Sequence, residues 1–78
     1  MTPSAADVRP GKCFLRVGSK PQVVRVLSVN DGRVGFEARL RRRAWSARSE
    51  TEVIEFVGGL VKEVGSDFDP SDAGRIHV

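Results

Sequence analysis

The chain has 78 residues, a single cysteine, and 13 basic against 10 acidic side chains, for a formal net charge of +3. That length admits one small domain with a modest core. A lone cysteine excludes an intramolecular disulfide framework and the paired ligand spacing of a zinc finger, and no apolar run approaches the ~20 residues of a membrane-spanning helix.

The charge is unevenly spread. Residues 1–49 carry 11 bases and three acids (Asp7, Asp31, Glu37), whereas residues 50–78 carry two bases and seven acids. Opposite signs in the two parts of a chain point to a polar partner or to pairing between the parts. Arginine outnumbers lysine ten to three, which suits bidentate contacts to anions and is also what a GC-rich coding sequence produces. No basic or hydrophobic leader opens the chain, so a cytoplasmic protein is expected.

Residues 1–9 hold no periodic pattern and are expected as a disordered arm. Arg9-Pro10-Gly11 is a turn signal, and Lys12–Val17 alternates as a first strand, with Cys13, Leu15 and Val17 on one face and Phe14 on the other. Cys13 reads as a small buried hydrophobe, because no histidine or second cysteine lies near it in sequence. Gly18-Ser19-Lys20-Pro21 then connects to the stretch that organises the chain.

Gln22–Val29 and Arg33 to about Leu40 are rich in β-branched residues and flank Asn30-Asp31-Gly32, a strong hairpin signal. A two-residue Asp31-Gly32 loop with regular pairing places Arg25 opposite Ala38 and a guanidinium among apolar side chains. A three-residue loop with Gly32 in the left-handed region pairs Val29 with Arg33, Val26 with Phe36, Val24 with Ala38 and Arg25 with Glu37. The second register is the expected one, since it yields an apolar face and an opposite-charge pair on the other.

Arg39–Arg48 holds five arginines and the sole tryptophan, Trp45. Alternation turns Val34, Phe36, Ala38 and Leu40 inward and leaves Arg39 and Arg41 facing solvent. Arg41, Arg42 and Arg43 are expected at a hairpin tip, with a return strand over Ala44–Ser49. Ser49-Glu50-Thr51-Glu52 matches a capping box, and Gly58-Gly59 supplies a left-handed stop, so residues 50–57 are expected as a short helical or 3₁₀ turn; their β-branched content makes a strand the competing assignment. Leu60–Val64 is the last strand, and residues 65–78 form an acidic, turn-rich tail.

Four to five short antiparallel strands with a helical turn ahead of the last describe an all-β fold. The order resembles the SH3-like small β-barrels, including Tudor and KOW-type modules, over residues 10–64. Gly32, Val34 and Gly35 meet the glycine-and-valine spacing of a KOW motif loosely. With Phe36 and Phe56 assigned to the core, a Tudor-type aromatic cage is not implied.

Catalytic chemistry is not expected. Nucleophilic catalysis needs a serine or cysteine beside a base, and the only histidine is His77, next to the C-terminus, where a solvated side chain is expected. The acids fall on a surface turn and a tail, and Asp67, Asp69 and Asp72 lack the other positions of a calcium loop; no cofactor, metal or small-molecule substrate is implied. Two binding classes fit. A protein-binding or self-associating module would use an acidic face including Glu50, Glu52, Glu55, Asp67 and Asp69 against basic side chains. The alternative is a nucleic-acid or anion-binding module built from Arg39, Arg41, Arg42, Arg43 and Arg48, with Trp45 as a stacking surface.

Overall fold

The computed structural model describes residues 3–18, 20–40 and 44–70, and all of its regular pairing is antiparallel. Five strands, β1 (Cys13–Val17), β2 (Pro21–Asn30), β3 (Arg33–Arg39), β4 (Ser49–Glu52) and β5 (Leu60–Val64), form one sheet in the order β4-β3-β2-β1-β5. A 3₁₀ turn at Ala5–Asp7 precedes the sheet, and a short helix α1 (Val53–Gly58) joins β4 to β5. The all-β fold, the long central hairpin and the helical turn before the last strand agree with the sequence reading.

The hairpin resolves the register question in an unexpected way. Its loop has two residues, Asp31 and Gly32, with φ of 52° and 74°, so Asn30 faces Arg33 and Val29 faces Val34. Positive φ at both central positions is the turn whose twist matches the flanking strands. Farther down, Val26 faces Phe36, Arg25 faces Glu37 and Val24 faces Ala38, the pairs expected from the apolar pattern. Both hold because the register shifts between Val26 and Ser28, leaving Leu27 without a partner in the ladder. A bulge of one residue converts the tight-turn register into the one that buries apolar side chains.

Gly32 tests that turn. A Cβ on Gly32 would meet nothing within 4 Å, so a substitution there is opposed by backbone conformation alone. Gly32→Ala is expected to lower the unfolding free energy by about 1 kcal/mol, read as a shift in the urea midpoint at unchanged slope; an unshifted midpoint would contradict the left-handed turn.

Directly opposed residues of antiparallel strands share a face. Phe14, Val24 and Ala38 form one row, and Val26 with Phe36 the next. Over them pack Phe56 and Leu60, which join Val8, Phe14, Val24, Val26, Val34 and Phe36 in the core. The Phe56 ring meets Phe36 at 5.0 Å between centroids, inclined by 52°, within the range where tilted aromatic pairs attract. Val8, ahead of the 10–64 range, enters this core because Ser4 caps the 3₁₀ turn with Asp7, whose carboxylate accepts from the Ser4 amide at 2.8 Å. That bond is the main reason the Asp7 carboxyl lies below its ordinary pKa.

The chain between β3 and α1 differs from the expectation. Regular pairing of the return strand covers Ser49–Glu52, opposite Phe36 to Arg33, and not Ala44–Ser49. Residues 44–48 run beside β3 irregularly, held by the Ser46 amide donating to the Ala38 carbonyl at 2.7 Å. Glu50 to Glu52 are therefore strand, the competing assignment, while residues 53–57 are helical as expected, and the Ser49 capping box does not form. The helix begins at Val53, whose amide donates to the Gly32 carbonyl at 2.8 Å and ties α1 to the hairpin tip. An isolated Ser-x-x-Glu cannot reveal that a neighbouring strand offers its backbone a better partner.

Candidate functional site

The other face of the sheet carries most of the residues that the sequence singled out. Two rows cross it. One runs Val64, Cys13, Arg25, Glu37, and the other Lys62, Leu15, Val23, Arg39, each across β5, β1, β2 and β3. Cys13, Leu15 and Val23 are buried although they lie on the side away from the main core. Burial raises the Cys13 thiol above its ordinary pKa, so it is a poor nucleophile.

Arg39 is the largest departure from the sequence reading: only 7% of it is exposed, where a solvent-facing cation was expected. Its Nη2 donates to the carbonyl oxygens of Ser66 and Phe68, both at 2.6 Å. Residues 65–70 turn back, with the Phe68 amide donating to the Gly65 carbonyl at 3.1 Å, and Pro70 is buried. At the other end of the same row the Lys62 ammonium stands 5.4 Å from the Phe68 ring centroid. Alternation correctly placed Arg39 opposite to Phe36 and Ala38; the error lay in taking that second face to be open.

Trp45 is half-buried and takes cationic contacts from two guanidinium groups, Arg25 at 4.4 Å and Arg39 at 5.1 Å from a ring centroid. Each such contact contributes about 0.5–1 kcal/mol or more as it is desolvated. Arg25 is at the same time paired with Glu37, its Nε donating to Oε1 at 2.7 Å. Trp45 is thus already engaged as an aromatic surface, by side chains of its own sheet.

Beyond the Leu27 bulge the same face opens into a hollow of about 230 Å³ lined by Ser28, Asn30, Asp31, Arg33, Gly35, Arg48 and Glu50. Arg48 lies across it, its Nη2 donating to Ser28 Oγ at 2.6 Å and standing 3.5 Å from the Glu50 carboxylate. Gly35 makes room for this: a Cβ there would collide with the Arg48 guanidinium and stand 2.8 Å from Ser28 Oγ. Arg33 approaches Glu50 from the β3 side at 3.6 Å.

The acidic candidates divide. Glu50 is held by Arg33 and Arg48, and Glu55 accepts from the Thr51 hydroxyl at 3.1 Å. Asp67 and Asp69 ride on the segment over the Lys62-to-Arg39 row, and Glu52 is exposed at the edge of the sheet, opposite Arg33. Arg41, Arg42, Arg43, Asp72 and His77 lie outside the described residues. Lys12 and Glu63, not singled out by the sequence, pair at 3.2 Å across the β1–β5 edge. No three His, Cys, Asp or Glu side chains are grouped as metal ligands among the described residues, and no helix there is long and apolar enough to cross a membrane.

No family model, curated protein or solved structure matches the chain.

Proposed function

We propose that the chain is a small SH3-like interaction module, without catalytic activity, that binds a protein partner in the cytoplasm. The strand order, with β5 returning beside β1 after a short helix, supports the SH3-like reading. The observation that carries the functional reading is the engagement of the cations on the second face. Arg39 holds main-chain carbonyls, Arg25 holds Glu37, and Arg33 and Arg48 approach Glu50. These guanidinium groups meet polypeptide, which favours a protein ligand over phosphate for the face they line. Pairing within one chain also favours a partner over self-assembly driven by opposite charge.

The competing ligand is nucleic acid, drawn to Arg41, Arg42 and Arg43 next to Trp45. Selection from a random peptide library displayed on phage is expected to enrich acidic sequences, with oligonucleotides bound weakly and without dependence on Trp45. The opposite result would be single-stranded oligonucleotide binding that weakens steeply with salt and whose salt slope flattens by about one unit per arginine replaced among the three. That outcome would overturn the protein-ligand reading.

A further inference from the structure

The row Lys62–Leu15–Val23–Arg39 spans four strands, about 14 Å at the ordinary strand spacing. Its two middle side chains are apolar and buried, and its two ends are cationic. Both ends reach the same stretch of chain: Arg39 takes the carbonyls of Ser66 and Phe68, and Lys62 meets the Phe68 ring. This arrangement has the parts of a peptide site, with an apolar floor, a donor for main-chain carbonyls and a cation beside an aromatic ring.

We propose that this row is a peptide-binding groove, closed in the isolated chain by its own residues 66–70, and that its ligand is an acidic segment of a partner protein that turns as residues 65–68 do and carries an aromatic residue two positions ahead of a proline. The inference rests on the interaction-module reading and deepens it.

Each element of the ligand follows from a contact. Arg39 recognises backbone, so its two bonds are open to any segment whose turn presents two carbonyls in this way, and they fix position, not sequence. The aromatic preference comes from Lys62 over Phe68. The proline preference comes from the burial of Pro70, because a residue without an N–H can be enclosed without stranding a donor. The acidic preference comes from the positive charge at the two ends of the row, Lys62 and Arg39, with no acid in the row to offset it, and the occupying segment itself carries Asp67 and Asp69.

The occupant is suited to exchange. Residues 66–70 add no strand to the sheet, and a segment joined by side-chain contacts outside the ladder opens locally at a cost below that of global unfolding. Tethering sets the advantage of the chain's own segment at an effective concentration on the order of millimolar. A free ligand must exceed that, or find the segment weakened.

The test uses the intact chain and a synthetic peptide with the sequence of residues 65–72. Binding is followed by amide shifts of Cys13, Leu15 and Val23 and by Trp45 fluorescence. Phe68→Ala is expected to bind the peptide about tenfold more tightly than the natural chain, because the competing segment is weakened. Adding Lys62→Ala is expected to reverse much of that gain, and a peptide with alanine in place of its phenylalanine is expected not to bind. The proposal is overturned if Phe68→Ala leaves the peptide unbound, or if the shifts fall elsewhere. Loss of amide dispersion in Phe68→Ala overturns it as well, since residues 66–70 would then be part of the fold and no occupant. Mass doubling through exchange of this segment between copies would make the ligand a second copy, and would overturn the choice of a partner. A peptide that fails here while library sequences bind another face removes the groove and leaves the module reading in place.

Discussion

Phe14→Ala lowers the unfolding free energy by about 3–5 kcal/mol, the range for truncating a fully buried phenylalanine. Phe14 has no exposed surface, and it stands on an interior strand, opposite Val24 on β2 and Glu63 on β5. It packs in the cluster that also holds Phe36 and Phe56. A domain of this size has a total stability near the low end of the ~5–15 kcal/mol range, so the variant is expected to be largely unfolded at 37 °C. Thermal denaturation followed by circular dichroism gives the reading. A midpoint within a few degrees of the natural chain would mean that β1 is not a central strand.

Arg39→Ala is expected to cost about 2–3 kcal/mol, because the carbonyls of Ser66 and Phe68 lose a charged donor. The loss should be local as well as global. Amide exchange at Phe68 is expected to rise toward the unprotected rate, while Val24 and Val26 keep their protection relative to the shifted global stability. Arg39→Lys should recover only part, since an ammonium carries enough N–H groups for both carbonyls but lacks the planar guanidinium that lies over Trp45. Equal stability of Arg39→Ala and the natural chain would show that the guanidinium does not hold the segment.

The main core was legible because it depends on local alternation. Val24, Val26, Phe36 and Ala38 announce their face through a period of two, and Asn30-Asp31-Gly32 announces a turn between them, although the loop takes two residues and not the expected three, so that Val29 faces Val34 and not Arg33. The bulge at Leu27 was not legible, since one extra residue leaves no mark on composition and shows itself only as a conflict between turn and pattern. That conflict was in the sequence: the tight loop and the apolar register could not both be regular, and the chain satisfies both by giving up one pair. Arg39 was misread for a different reason. Its alternation was right, but its cover comes from Gly-Ser-Asp-Phe-Asp-Pro, a stretch with turn formers and acids and no strand or helix period. A layer made by side-chain-to-backbone contacts has no periodic signature, although an isolated Phe and Pro among acids is the one hint that it docks. Trp45 stood out in the sequence as a stacking surface for a bound ligand; in the structure the guanidinium groups of Arg25 and Arg39 lie over its ring, a tertiary contact that no local pattern marks.

The β1–β5 pairing has a consequence for how the chain is made. The β1–β2–β3 meander joins residues close in sequence and can form early. Leu15 must wait for Lys62, across a loop whose closure entropy is met only after the meander exists. Until residues 60–64 leave the ribosome, β1 offers an open hydrogen-bonding edge beside Phe14 and Leu15. The unfinished chain therefore ends its sheet on the apolar strand β1, whereas the finished sheet ends on β5, which carries Lys62 and Glu63, charged residues of the kind that discourage pairing along an edge.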